Sequence, residues 1–238
     1  LLPHPRQRLQ LQLEHLRLAG VAVAAPVANH RVGLLGLILG AAAGIGCIVL
    51  IEILDDSIRT VRKLADVAGA LPKSLEKIGC EVKLFLPKYS TIDEDKFGLH
   101  YNWNVGEIPV RVAGHVRPVH LHQAKLPGSN VEVNFIDCPQ YFFRGSIYTN
   151  DPDEGNRFVL FSKAAIEVLQ RLQWKPDVIH CNDWQTGLIP LFIKDNYNWD
   201  KLFDKTAALY TIHNIGYQGR FSTQMLFDAE IRGDLFYP

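Results

Sequence analysis

Asp177-Val-Ile-His180-Cys-Asn-Asp183-Trp184 and, about thirty residues on, Ala208-Leu-Tyr-Thr211-Ile-His213-Asn214 decide how this chain is read. Each opens on a short apolar run of strand type and closes on His, Asn or Asp, with a helix-like segment, Thr186 to Lys194, between them. In an open α/β sheet, polar groups at neighbouring carboxyl ends of parallel strands converge on one crevice, where ligands bind. Two histidines, an aspartate and two asparagines in that place point to a polar ligand. His180 directly follows Val178-Ile179 and is predicted to stand at the sheet end. For Asp183 two readings stay open: a ligand-binding carboxylate, or an N-cap of the helix that follows. The second string continues as Ile-Gly216-Tyr217-Gln218-Gly219, where two glycines allow backbone to approach a ligand closely. His213 and Asn214 supply donors and acceptors suited to sugar hydroxyls. Their alternative is a core histidine followed by an Asn turn.

Working outward, the 238 residues suffice for one large domain with a sizeable core. Lys plus Arg and Asp plus Glu number 25 each, so no global field draws nucleic acid or an anionic membrane, and any anion must be held locally. Cys47, Cys80, Cys138 and Cys181 lie far apart with no C-x-x-C pair. That argues against a disulfide framework and a zinc knuckle, and it suits a reducing, cytoplasmic setting.

From Leu64 onward the pattern is α/β. Leu64, Val67, Ala68, Leu71, Leu75 and Ile78 recur at helical spacing, with Pro72 predicted to kink the run or start a second segment. Gly79 is the predicted stop, and Glu81 to Leu86 the next strand, ending at Pro87. Ile108 to Val112, Val116 to Leu121 and Val131 to Ile136 read as further strands, and Gln140 to Asn156 as a loop. Phe158, Phe161, Ala165, Leu169 and Leu172 mark a long amphipathic helix. The expected fold is a Rossmann-like open, mostly parallel sheet with flanking helices. His120 and His122 face one way on their strand, where a solvated face is expected rather than a metal site. Lys83, Lys88, Lys163 and Lys175 are dispersed and read as surface.

Residues 1 to 60 differ in character. Val32 to Ile51 carries no charge and is long enough for a membrane span, although Gly46 to Leu54 reads equally as a first buried strand. A poorly ordered extension is the third possibility. The chain begins with Leu, holds one Met and stops at Leu235-Phe-Tyr-Pro238, and on that basis it is read as a fragment.

Several strings in register resemble one family, the bacterial glycogen synthases and plant starch synthases. They are Leu64-Ala-Asp66-Val-Ala-Gly-Ala-Leu-Pro-Lys-Ser-Leu75, Leu86-Pro-Lys-Tyr89, Phe143-Arg144 with Ile147-Tyr148, Asp151 to Phe158, and the two strings quoted first. The resemblance covers Leu64 to Pro238. It implies the N-terminal half of a GT-B fold, with 61–238 as a Rossmann-like catalytic domain lacking its second partner domain. It also implies transfer of glucose from ADP-glucose to the non-reducing end of an α-1,4-glucan, with retention and without a metal or other cofactor. By the same resemblance His213 and Asp183 are catalytic candidates. Asn214, His180, Tyr148, Tyr217, Gln218 and Asp66 are candidates for binding substrate, Tyr148 on the acceptor side. One departure stands out: where the family carries Lys-Thr-Gly-Gly or a close variant, this chain has Thr60-Val-Arg-Lys63. Without the glycines there is no left-handed freedom for backbone to wrap a diphosphate, so no phosphate-binding role is carried over. A glucan-binding module without chemistry and a protein anchored through Val32 to Ile51 are the alternatives.

Overall fold

The computed structural model describes residues 22–23, 47–51, 70–149 and 151–236. In chain order they form β1 (Ala22–Val23), β2 (Cys47–Ile51), α1 (Ala70–Lys77), β3 (Glu81–Pro87), α2 (Glu94–Phe97), β4 (His100–Tyr101) and β5 (Ile108–Val112). There follow β6 (His115–Lys125), β7 (Glu132–Asp137), α3 (Pro139–Phe142), α4 (Glu154–Arg171), β8 (Val178–Asn182), α5 (Ile189–Lys194), β9 (Ala207–Thr211) and α6 (Gln224–Asp228). The sheet order is β1-β9-β8-β2-β3-β7-β6-β4, with β5 paired to β6. From β1 through β7 every neighbour is parallel, and β6 runs antiparallel to β7, β4 and β5. This is the expected α/β class, with an antiparallel edge added.

From β2 the chain winds outward through β3 and β7 on one side and through β8 and β9 on the other. The reversal falls between β2 and β8, so the crevice at their carboxyl ends is the topological switch point. β8 therefore ends where ligands bind in this architecture.

Packing explains the layers. Phe85, Ile136, Ile179 and Cys181 share one apolar cluster with Phe158, Phe161, Ala165 and Leu169 of α4. On the opposite face Leu75 of α1 packs with Val82, Leu84, Leu86, Val133 and Phe135. Each fully buried Leu or Phe contributes about 2 kcal/mol. Gly79, at φ +90°, ends α1: its N–H donates to Glu76 O while Cys80 N–H reaches back to Leu75 O, closing the last carbonyls.

Several expectations shift. β6 runs to Lys125, because β7 pairs with its second half, from His120 to Lys125. α4 begins at Glu154, four residues before the first apolar position, and α3 occupies part of the expected loop. The segment after Asp183 splits into a 3₁₀ turn, Trp184–Thr186, and α5 with Pro190 in its first turn. β8 continues past His180 to Asn182, paired with Thr211. Lys88 and Lys163 are buried, not surface groups. Lys163 Nζ donates to Arg111 O (3.0 Å) and Glu230 (2.7 Å), and Lys88 lies against Glu94 and Asp137. His122 is likewise drawn from a solvated face into contact with Asp137, 3.1 Å away.

Ile51 and the four residues before it form β2 between β3 and β8, as the strand reading of that stretch expects. The rest of the Val32 to Ile51 span, Thr60 to Lys63 and Asp66 lie outside the described residues. Among the described residues no helix is long and apolar enough to cross a membrane. Cys80, Cys138 and Cys181 are buried.

Candidate active site

β8 is buried on both sides yet carries polar residues, and strand parity sorts them. Ile179 and Cys181 are fully buried in the α4 cluster. His180 and Asn182 alternate to the other face, where an apolar sequence is the rule for a parallel strand. Burying them requires hydrogen bonds. His180 Nε2 meets Thr211 Oγ1 at 2.8 Å, and His213 Nε2 meets Asn182 Oδ1 at 2.8 Å. With Asn182 Oδ1 accepting, the proton of that pair sits on His213 Nε2, and Nδ1 is left as an acceptor. His180 is 4% exposed, and its Nδ1 has no hydrogen-bond partner among the described residues. Burial, with a smaller contribution from His213, pushes its pKa down to about 4, so the ring is neutral near pH 7.

Asp183 stands where β8 leaves the sheet, at φ 54° and ψ −176°. A residue with a Cβ is held in that region only at a cost of about 1–3 kcal/mol, supplied by surrounding contacts. Those contacts are explicit. Its N–H donates to Thr211 O (2.8 Å), while Oδ1 accepts from the N–H groups of His213 (2.7 Å) and Asn214 (3.3 Å). The capping reading is thereby corrected: the carboxylate makes no cap bond to the following turn and instead clamps the loop leaving β9.

Beyond the clamp, Asn214 Oδ1 accepts from Gly216 N–H at 3.1 Å, an Asx turn that starts the loop. Gly219, at φ +57°, is the glycine the backbone demands, and a Cβ there would overlap the Trp184 indole. The close approach predicted for a ligand is thus taken by Trp184, whose ring also meets Phe158 edge-on at 5.0 Å. Gly216 shows no positive φ. Tyr217 points its ring to solvent, and Gln218 Nε2 donates to Ile215 O at 2.9 Å.

His180, Asp183, His213 and Asn214 therefore come together at the ends of β8 and β9. Tyr148 joins them at one remove: its hydroxyl accepts from Gln185 Nε2 at 2.7 Å, two residues beyond Asp183. Tyr217 and Gln218 stay on the outer loop. Asn182, Thr211 and Gln185 hold the cluster together without having been assigned roles from sequence. For Asn182 the signal was parity, since it shares a face with His180. Among the described residues no group of three or more His, Cys, Asp or Glu is placed to hold a metal ion. On the α4 face, a hollow of about 400 Å³ lies against Phe158, Trp184, Tyr210, Phe221 and Met225. Its lining is mostly apolar, includes Gln185 and Gln218, and contains none of His180, Asp183, His213 and Asn214.

Comparison with known proteins gives a consistent result. The family model described as "Starch synthase catalytic domain" matches residues 57–237. The glycogen synthase of Moorella thermoacetica is 39% identical over 176 residues, covering 74% of this chain and 34% of its own length. That of Streptococcus uberis is 40% identical over 179 residues, covering 73% of this chain and 34% of its own. The catalytic domain of starch synthase IV from Arabidopsis thaliana, bound to ADP and acarbose, superposes with a TM-score of 0.69. It is 28% identical and covers 81% of this chain and 38% of that one. The chain thus spans about a third of the length of the curated relatives it matches.

Proposed function

This chain belongs to the starch synthase catalytic domain family, and we propose that it forms the acceptor-side part of a retaining, metal-independent glucosyltransferase. In this reading residues 61–238 are one of two Rossmann-like domains, and the enzyme moves glucose from ADP-glucose to the non-reducing end of an α-1,4-glucan. The structural neighbour bound to ADP and acarbose supports the choice of nucleotide. The observation that carries the proposal is the clamp: one carboxylate, Asp183, fixes the backbone of both His213 and Asn214, while Asn182 fixes the imidazole.

Glucosyl transfer with retention passes through an oxocarbenium-like centre as a diphosphate departs. It is helped more by dipoles already aimed at the developing charge than by proton transfer, and one such group is worth about 3 kcal/mol. His213 fits that task. Its N–H and Nε2 are both engaged, so its carbonyl and Nδ1 are left to face a sugar. Asp183 is a positioning group in this scheme, since its Oδ1 is occupied by the loop. In this reading basic groups of the second domain stabilise the diphosphate.

Grafting residues 70–236 into the Moorella thermoacetica glycogen synthase in place of the matching segment tests the proposal. The graft is expected to elongate maltooligosaccharide from ADP-glucose, and His213→Ala to lower its kcat by roughly 100-fold or more. The 238-residue chain alone is expected to show no turnover. A His213→Ala graft that runs at the full rate would refute the role of His213. Glucan binding without turnover in the graft would favour a binding-only module.

A further inference from the structure

Arg157, in the first turn of α4, has no exposed surface and spends its donors in an unusual way. Nε donates to Tyr141 O (2.7 Å), Nη1 to Glu154 Oε2 (2.6 Å) and Nη2 to Ile147 O (3.1 Å). Its guanidinium also stands 5.8 Å from the Phe142 ring centre and 5.4 Å from that of Phe158. The same Glu154 Oε2 accepts from Thr149 Oγ1 (2.7 Å) and Thr149 N–H (3.3 Å). The pair therefore grips the peptide unit before Tyr148 and the residue after it. A buried ion pair is weak evidence of stability, because desolvating two charges offsets most of their attraction. What it does secure is a geometry, and the geometry here is that of Tyr148.

From Tyr148 the connection continues. Its hydroxyl accepts from Gln185 Nε2 (2.7 Å), and Gln185 O accepts in turn from Ser162 Oγ on α4 (3.2 Å). Two oxygens of this network, Glu154 Oε1 and Gln185 Oε1, are buried with no hydrogen-bond partner among the described residues. So is the hydroxyl of Tyr89, just after β3, whose ionisation is opposed by burial and by the nearby Tyr148 and Glu154. Tyr148 itself is only half-buried.

We propose that Arg157 and Glu154 are positioning residues for the acceptor glucan, setting where Tyr148 and Gln185 meet its hydroxyls. The inference rests on the acceptor-side role given to Tyr148 above. It adds that this role depends on two residues that need not touch the sugar through their paired atoms.

The test uses the ¹⁵N-labelled 238-residue chain, with the Gln185 side-chain amide as reporter and maltotetraose as ligand. Tyr148→Phe is expected to displace the Gln185 amide signal, because its acceptor is gone. Glu154→Gln, which keeps the volume and removes the charge, is expected to displace the same signal. It should also weaken maltotetraose binding about five- to ten-fold, the weight of one hydrogen bond. Arg157→Lys should do the same, since it keeps the charge and loses the fork. A folded Glu154→Gln chain with a lower melting temperature but an unmoved Gln185 signal and unchanged affinity would overturn the proposal, leaving a purely structural pair. If maltotetraose shifts nothing in the wild-type chain while Glu154→Gln still moves Gln185, the acceptor reading falls and the positioning of Tyr148 stands.

Discussion

At the carboxyl ends of β3 and β7, Lys88 lies 2.7 Å from Glu94 and 3.6 Å from Asp137, and Asp137 lies 3.1 Å from His122. At the ends of β8 and β9, by contrast, His180, Thr211, Asn182 and His213 are joined by neutral hydrogen bonds, with a single carboxylate, Asp183, turned onto backbone. The first cluster closes on Lys88, which is 3% exposed and faces the Glu94 and Asp137 carboxylates, while Asp137 Oδ1 has no hydrogen-bond partner among the described residues. The second is open: it holds two separate pairs, buried His180 with Thr211, and Asn182 with exposed His213. Fixed neutral dipoles ending at the surface can serve a passing charge, whereas mutually paired ions are already spent. The difference supports the proposed placing of the chemistry at β8 and β9.

The comparison can be broken most forcefully at Lys88. Lys88→Met leaves the buried Asp137 carboxylate without its cation and is expected to cost about 3–5 kcal/mol in denaturant unfolding, with no change in His213 ring signals. A cost below 1 kcal/mol would mean the cluster is not closed. Next in size is the pH response of His180. Its folded pKa lies near 4, below the unfolded value, so between those values the unfolded chain binds the extra proton. Stability attributable to this ring is therefore intact above pH 6.5 and falls as pH drops toward 4, by about 3 kcal/mol in all. His180→Gln should flatten that part of the profile relative to wild type, and identical slopes would contradict a buried neutral ring.

Smaller effects sharpen the open cluster. Asp183→Asn keeps the shape but weakens the clamp, and a loss of about 1–2 kcal/mol is expected. Hydrogen exchange should then quicken at the amides of His213 and Asn214 more than elsewhere. Uniform protection would argue against the clamp. Smallest is His213→Ala, at most about 1 kcal/mol in unfolding, because the ring is exposed and gives up one hydrogen bond. A large stability loss there would make His213 a structural residue.

Much of this was legible in sequence because the information was local. Helical spacing before Gly79, the apolar run of β3 and the long α4 all declared themselves. The strings ending at Asp183 and Asn214 marked two neighbouring strand ends, one of them beside the switch point, and alternation along β8 separates His180 from Cys181. What the chain hides is pairing over distance. Lys163 reads as surface until Glu230, 67 residues away, is seen against it. Asp183 reads equally as a cap or as a ligand-binding carboxylate until the register of Asn182 with Thr211 delivers the backbone of His213 to it. His122 reads as solvated until Asp137 of the neighbouring strand is seen facing it. In each case local pattern fixes the element, and a partner from another element fixes the side chain.

The central claim, that a hexose is received at the ends of β8 and β9, is tested most directly by titrating the chain with maltotetraose and with ADP-glucose while following its histidine rings by NMR. The ring signals of His180 and His213 are predicted to move together with at least one of the two ligands while that of His122 stays fixed. Movement at His122, with His180 and His213 unchanged at saturating ligand, would contradict it.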